Sequence, residues 1–346
     1  MDNSALTSLV RFSVYAAQPD ASQSLEEGAL LIAELAYPDL RHGPYLRYLD
    51  ALAAEVWAEL GGAARLLRRE RLRQRATAER VLETMCEVLT HRHGFTGSED
   101  NYYHPRNSFF NETLDHQTGL PLTLGIVYLA VARRIGVPLV GVGLPAHFMV
   151  KWPLPADEGG DLFVDVFHGA RLLNEQECRS FVLRFIAAGK RTPETPGTSG
   201  ADLSDLSDLS NLSEPANLPD ASESSPLLDG TSAQPATDDS SRAGLVAGAN
   251  AGDVTSEAAD PISHAPFAVS FDPRWTEPMS VRDILTRMLN NLKMVYLFRG
   301  ETAHALATVE RLTTLRPDLP QELRDRGLLR LAMGEPLLAA ADIAAY

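Results

Sequence analysis

The chain is poor in cysteine, in basic charge and in long apolar runs, and each shortage excludes a class of protein. Two cysteines, Cys86 and Cys178, among 346 residues are too few for a disulfide framework and are typical of a reducing compartment. No uninterrupted apolar run is long enough to cross a bilayer. The beginning of the chain also lacks the basic stretch and apolar segment of an export signal. The sequence therefore predicts a cytoplasmic protein with no membrane partner.

Basic residues are scarce, with 31 Lys and Arg against 46 Asp and Glu and a net charge of −15. Most of this imbalance is local, because residues 191–262 hold 13 acidic residues and only Arg191 and Arg242, or −11 of the total. The remaining residues are therefore close to neutral. Binding to nucleic acid needs a surface that neutralises phosphates, so we expect no nucleic-acid partner.

Residues 191–262 also have little that could form a core. Ser, Asp, Pro, Gly and Ala dominate, and a DLS repeat occupies residues 202–210. Such a composition cannot bury enough apolar surface to offset the chain entropy lost on folding. We expect a disordered linker between two folded parts, residues 1–190 and 263–346. Shortening it should cost little stability, because closure entropy grows only logarithmically with loop length.

The first folded part combines helical and strand-like periodicities. Residues 23–91 carry apolar positions at helical spacing. TLGIVYLAVARRIG, residues 123–136, is apolar nearly all round, which predicts a helix buried inside the domain. Residues 138–152 and 161–169 are strand-like on either side of the turn-rich PLPADEGG. A buried helix followed by an antiparallel hairpin predicts an α+β domain.

The second folded part has an internal period of 34 residues. Three pairs of residues repeat at this spacing: Leu297 and Leu331, Gly300 and Gly334, and Ala305 and Ala339. This pattern resembles tetratricopeptide repeats, which are helix pairs of 34 residues. Since two such repeats are rarely stable alone, we expect them to pack against the first part.

His147 is the one histidine of an apolar strand-like segment, GVGLPAHFMV, and Asp165 lies on the next such segment. An aspartate that accepts a hydrogen bond from an imidazole N–H fixes the ring's tautomer and stabilises its charged form. Their sequence separation fits adjacent antiparallel strands, so we predict that both side chains face one cleft. The residues alone also allow each side chain to satisfy a separate hydrogen bond in the core.

A buried helix, a strand with His147 and a strand with Asp165 follow each other as in transglutaminase-like proteases and acyltransferases. The segments that carry a more specific resemblance are AELAYPDL, NSFFNETLDHQTGLPLTLGIVYLAVARRIGVPLVGVGLPAHFMVKW, DLFVDVFHGARLL and RMLNNLKMVYLFRGE. They are similar to bacterial SirB-type proteins, in which a tetratricopeptide tail follows a transglutaminase-like domain. The resemblance implies a helical N-terminal part, a papain-like core of buried helix and antiparallel sheet, and an α-helical C-terminal segment.

The resemblance also implies a cysteine nucleophile at the start of the buried helix, where the helix dipole and the histidine favour its thiolate. That position holds Pro121, which suits a first helical turn but offers no nucleophile. Thr123 is rotated by about 200° from it and should face away, and Ser108 precedes the helix at an undefined distance. We therefore expect a degenerate, non-catalytic site at His147 and Asp165.

Other polar residues of the family motifs are candidates for binding in this degenerate cleft: Asn107, Asn111, Glu112, His168 and Arg171. The first three, with Ser108, precede the buried helix, where they could line the cleft or equally cap a helix and bond the loop backbone. His168 and Arg171 follow Asp165 and are expected to brace the end of its strand.

The remaining histidines do not predict a metal centre. The spacings of His91, His93, His104 and His116 match no ligand pattern, and no cysteine or carboxylate completes a set. No glycine loop for a phosphate-bearing cofactor is present. The sequence thus predicts neither metal nor cofactor.

Together these observations predict a scaffold or regulatory protein that binds a protein or peptide through a tetratricopeptide groove or through the degenerate cleft. The alternative is a hydrolase or acyltransferase with an unrecognised nucleophile. A regulator acting on DNA is a third possibility, which the near-neutral folded parts oppose.

Overall fold

The computed structural model describes residues 3–62, 68–98, 104–145, 147–189 and 271–346. The predicted linker, residues 191–262, lies outside the described residues. Residues Met1–Thr195 and Val269–Tyr346 belong to one compact unit, so the described parts of both predicted folded segments can be treated together.

This part of the chain is mixed helix and sheet, which confirms the α+β prediction. Its α-helices are α1 (Asn3–Ala16), α2 (Leu25–Ala33), α3 (His42–Glu59), α4 (Arg75–Cys86), α5 (Phe110–His116), α6 (Pro121–Ile135), α7 (Glu175–Gly189), α8 (Val281–Phe298), α9 (Thr302–Leu315), α10 (Pro320–Ala332) and α11 (Pro336–Ala345). Its strands are β1 (Thr96–Gly97), β2 (Thr118–Gly119), β3 (Val140–Leu144), β4 (His147–Trp152), β5 (Leu162–Asp165) and β6 (Arg171–Asn174). None of the helices within the described ranges has the length and apolar content needed to span a bilayer.

Strands β3 to β6 form an antiparallel sheet in chain order. Side chains alternate between the two faces of a strand, and both faces of β4 are buried. Phe148 and Val150 belong to the main core, which includes most of α6, whereas Met149 packs in a second core with Cys178 and Val182 of α7. The sheet is therefore covered by a helix on each side.

Helix α6 is the predicted buried helix. It has Pro121 in its first turn and ends at Gly136, whose φ of 78° suits a residue without a side chain. Gly125 brings the helix close to the sheet, since a Cβ there would lie 2.3 Å from Cε1 of Phe148. The missing side chain thus makes room for the aromatic ring.

The C-terminal helices form two helix pairs, α8–α9 and α10–α11, with Gly300 and Gly334 in equivalent left-handed positions. They pack on the first part of the chain, as expected. Nη2 of Arg311 on α9 donates to Oγ of Ser8 on α1 at 2.8 Å. Nη2 of Arg282 on α8 donates to the carbonyl oxygen of Ala16 at 3.1 Å.

The edge strand β3 is completed by residues that precede α8. The backbone N–H of Met279 donates to the carbonyl oxygen of Gly141 at 2.9 Å, and Pro278 forms an antiparallel bridge with Val142. This short pairing covers part of the open side of β3, which as an unpaired strand edge would be exposed to association with other chains.

Candidate functional site

The predicted pair, His147 and Asp165, is in direct contact. His147 opens β4 and Asp165 closes β5, and the imidazole Nε2 donates to Oδ1 of Asp165 at 3.0 Å. Both are deeply buried, with 4% and 2% of their surfaces exposed. The prediction of adjacent strands with meeting side chains is confirmed, and the catalytic ancestry of the pair stays a prediction.

Helix α7 covers the pair. His147 alternates with Met149, and Asp165 with Phe163, so both polar side chains lie on the sheet face that α7 covers. The ring of Phe181 on α7 packs against the imidazole of His147, with 5.2 Å between ring centroids. The ring of Phe181 thus helps to shield the His147–Asp165 contact from solvent.

Asp165 accepts more hydrogen bonds than the His147 contact alone. The backbone N–H groups of Phe167 and His168 donate to Oδ1 at 3.2 and 3.3 Å, and Nδ1 of His168 lies 2.7 Å from Oδ2. Burial alone would raise the pKa of Asp165, but the hydrogen bonds and charges of His147 and His168 outweigh it and lower the pKa. The carboxylate is therefore ionised at neutral pH.

The sequence pattern did not predict the hydrogen-bond partner of His168. It lies beside Asp165 as expected, yet it does more than brace the strand end, because its ring shares the carboxylate with His147. The sign of this contact in the sequence was the three-residue spacing of Asp165 and His168 in DVFH, because a tight turn brings the two side chains together. Gly169, with φ of 75°, follows in that turn.

A cavity of about 560 Å³ opens next to this group. Its lining residues are Asp165, His168, Arg171, Leu173, Asn174, Gln176, Glu177, Ser180, Phe181 and Arg184. Arg171 pairs with Asp165 across the strands β5 and β6, which places it at this cavity. Within the described ranges, neither Arg171 nor Arg184 forms an ion pair with a carboxylate, so the cavity offers two guanidinium groups alongside the carboxylates of Asp165 and Glu177.

The polar segment before α6 does not line this cavity. Instead it supports the helix start: the carbonyl oxygen of Asn107 accepts from the N–H of Leu120 and from Oγ1 of Thr123, each at 3.3 Å. Oε1 of Glu112 accepts from the hydroxyl of Tyr37 at 2.6 Å. Ser108 and Asn111 are buried beside them. Of the two interpretations of this segment, its contacts support bracing of the loop.

The position expected for a nucleophile holds Pro121, the first residue of α6. Nearby Thr123 donates its hydroxyl to backbone carbonyl oxygens, including that of Leu120 at 3.2 Å. Both cysteines are buried, and burial raises the pKa of each thiol to about 12. Cys86 and Cys178 are therefore protonated at neutral pH and have a packing role.

Of the four other histidines considered for metal binding, His91 is exposed and the remaining three have separate contacts. His93 contacts Glu55, with Nε2 and Oε2 2.7 Å apart; the ring of His104 accepts from a backbone N–H, and His116 lies near Glu112. In the described part of the chain, the cluster with metal-ligand spacing is a different one, formed by His147, Asp165 and His168.

A residue of the C-terminal helices also reaches the site. Nη2 of Arg287 on α8 donates to the carbonyl oxygens of Leu144 and His147, at 3.0 and 2.8 Å. These two carbonyls flank the turn between β3 and β4, so Arg287 holds the backbone that presents the imidazole. The sequence contained no sign of this contact, which joins residues 140 positions apart.

Comparison with known proteins agrees with this architecture. A model of the transglutaminase-like superfamily matches residues 44–196, and a tetratricopeptide model matches residues 292–346. A UPF0162 protein of Xylella fastidiosa is 27% identical over 331 residues, which cover 94% of this chain and 84% of the relative. A UPF0162 protein of Pseudomonas aeruginosa is 32% identical over 46% of this chain and 53% of its own length.

Human F-box only protein 21 is 28% identical over 187 residues, or 49% of this chain and 30% of that protein. No solved structure matches the chain. The similarity to the Xylella fastidiosa protein thus extends over most of the chain, and the similarity to the Pseudomonas aeruginosa and human proteins is confined to about half of it.

Proposed function

We propose that this chain, which combines a transglutaminase-like domain with a tetratricopeptide segment and is similar to the UPF0162 proteins, is a non-catalytic module that binds a peptide or protein. The observation that carries the proposal is Pro121 in the first turn of α6, where the superfamily resemblance implies a cysteine. His147 and Asp165 remain in contact, but the side chain of Pro121 has no atom that could attack a carbonyl.

The cavity indicates what kind of group would bind. Asp165 is occupied by two imidazoles and two backbone N–H groups, so it has little capacity for a further donor. Arg171 and Arg184 contribute positive charge, and Phe181 contributes an apolar wall. Arginine recognises carboxylates with two parallel hydrogen bonds. We infer a ligand with a carboxylate, such as the C-terminus or an acidic side chain of a peptide.

The intact pair of His147 and Asp165 favours the alternative of a hydrolase or acyltransferase. Such an enzyme needs a nucleophile within hydrogen-bond reach of the imidazole. Cys86 and Cys178 are buried as thiols, and Thr123 donates to backbone carbonyls. The alternative predicts amide hydrolysis that His147→Ala abolishes, and detection of such turnover by the wild-type chain would refute the non-catalytic proposal.

The ligand class is tested with paired peptides that differ at one end. A fluorescent peptide library with free C-terminal carboxylates is compared with the same peptides as amides, by anisotropy with the full chain. We expect the free acids to bind more tightly, and the double variant Arg171→Gln/Arg184→Gln to weaken them about tenfold or more, as for the loss of hydrogen bonds to a charged group.

The matched control for this measurement is Arg80→Gln, which changes an exposed arginine on α4. It should leave peptide binding unchanged. Equal affinity for acid and amide peptides, or full binding by the double variant, would refute the carboxylate preference.

The variant Pro121→Cys tests whether residue 121 occupies the position of the superfamily's nucleophile. A thiol there would lie at the beginning of α6, where the helix dipole favours the thiolate, and the family resemblance implies that it would also face His147. Its pKa, measured from the pH dependence of alkylation, should fall below the roughly 8.5 of a free cysteine. The two native thiols, whose pKa values burial raises to about 12, should contribute no signal before unfolding.

The control is Pro121→Cys combined with His147→Ala, in which the thiol pKa should return toward its ordinary value. A Pro121→Cys thiol that titrates normally, or with the same pKa in both variants, would show that Leu122 or Thr123 occupies the position instead.

A further inference from the structure

Three potential ligand atoms meet at the end of β5. They are Nε2 of His147, the carboxylate of Asp165 and Nδ1 of His168, and they all lie within 4.8 Å of one another. The two imidazole nitrogens are 3.0 and 2.7 Å from the carboxylate oxygens that they contact. Each is brought there by a different element: His147 by β4, Asp165 by β5 and His168 by the turn that follows.

We propose that His147, Asp165 and His168 bind a divalent first-row metal ion, and that this ion is Zn²⁺. Two imidazoles and one carboxylate are a donor set that proteins use for such ions when further coordination positions stay open. With ligand bonds of about 2.0–2.1 Å, the donor atoms of a tetrahedral zinc site lie about 3.4 Å apart. The two contacts to the carboxylate would therefore open by well under 1 Å, and the two imidazole nitrogens, which lie within 4.8 Å of each other, would have to reach the same separation of about 3.4 Å.

The surroundings of the cluster hold its members in place. Oδ1 of Asp165 accepts from the backbone N–H groups of Phe167 and His168. Arg287 fixes the backbone of His147, and Phe181 packs on its ring. Orientation of ligands by outer hydrogen bonds is characteristic of metal sites and raises their affinity. An ion would take the place of the imidazole protons that now point at the carboxylate.

The cluster is buried on one side and open on the other. His147 and Asp165 are almost fully buried, whereas 46% of the His168 side chain is exposed. Asp165 and His168 both line the cavity described above. A zinc ion held there would direct its remaining positions toward this cavity, where water or the carboxylate of a bound ligand can complete its coordination.

Metal binding is measured directly with Co²⁺ as a spectroscopic probe. The full chain is stripped with a chelator and titrated with Co²⁺, and visible absorption is followed before displacement by Zn²⁺. We expect one ion per chain, with absorption bands of a four- or five-coordinate site. His168→Asn should weaken binding about 100-fold or more, because it removes one of three ligands and leaves the two buried residues unchanged.

His91→Asn is the matched control, since His91 is exposed on the turn that extends α4. It should bind Co²⁺ like the wild type, and circular dichroism should show all variants folded. Two results would overturn the proposal: no stoichiometric Co²⁺ spectrum in the wild type, or unchanged affinity in His168→Asn. Because no peptide is used, neither result bears on the carboxylate preference of the cavity.

Discussion

Replacing Asp165 by asparagine is expected to lower the free energy of unfolding at pH 7 by about 2–4 kcal/mol. Asparagine keeps the size of the side chain but removes the negative charge that two imidazoles and two backbone N–H groups share. One amide oxygen cannot replace two carboxylate oxygens, and the amide N–H₂ would face a donor. Equilibrium urea denaturation of the two proteins measures the difference.

The loss should depend on pH in a defined direction. The ordinary pKa of this carboxyl is 3.8, and folding lowers it. A group with a lowered pKa contributes stability that is fully present above its unfolded pKa and is lost as pH falls through the folded pKa. The difference between wild type and Asp165→Asn should therefore be present above the ordinary pKa of 3.8 and shrink as pH falls below about 4.

Asp50→Asn is the control for this experiment, because the Asp50 side chain is exposed and its partner Arg134 keeps a second carboxylate partner, Glu26. Exposed pairs contribute about 0–1 kcal/mol, so this change should have a small effect. A loss in Asp165→Asn no larger than that in Asp50→Asn would show that the shared carboxylate does not stabilise the fold.

The second large effect is expected at Gly125 on α6. A Cβ at this position would lie 2.3 Å from Cε1 and 2.6 Å from Cδ1 of Phe148, which is too close for any side-chain contact. Gly125→Ala should therefore force α6 away from β4 or push the ring out of its rotamer, at a cost of about 1–3 kcal/mol or more. Thermal unfolding followed by circular dichroism would register the loss.

Gly43→Ala provides the matched control on α3, where an added Cβ meets only the tip of the Arg47 side chain, at 3.3 Å. Gly43 lies in the first turn of α3 directly before Pro44, where alanine has no clear advantage over glycine, so this variant should differ from the wild type by no more than about 1 kcal/mol. The double variant Gly125→Ala/Phe148→Leu should recover part of the lost stability. If Gly125→Ala cost no more stability than Gly43→Ala, the close approach of α6 and β4 would be wrong.

The predictions that succeeded depend on short-range patterns. The apolar character of residues 123–136 indicates a helix buried on all sides, and α6 is buried in this way. Alternation and a turn between two strand-like segments predict that His147 and Asp165 lie on adjacent strands, and their contact is observed. Periodicity and turn composition are local properties, so one sequence is enough to interpret them.

The features that were not predicted depend on packing between distant segments. Arg287 reaches the His147 carbonyl only because α8 lies beside the sheet, and a helical pattern does not define its neighbours. The polar residues from Asn107 to Glu112 have types that suit either a cleft or a helix cap. The spacing of histidines along the chain predicted no metal site. His147 and His168 come together only in the fold, where both contact the carboxylate of Asp165.

The cover on β3 has a consequence for synthesis of the chain. Strand β3 ends at Leu144, but Pro278 and Met279, which pair with it, are translated more than 130 residues later. At about 5–20 residues per second, a ribosome needs on the order of ten seconds for that interval. Throughout it, the β3 edge of the nascent sheet lacks the partner that Pro278 and Met279 supply in the described part of the chain. This is the period in which a chaperone would protect the nascent chain most, and in which neighbouring chains on one polysome would be most prone to associate through that edge.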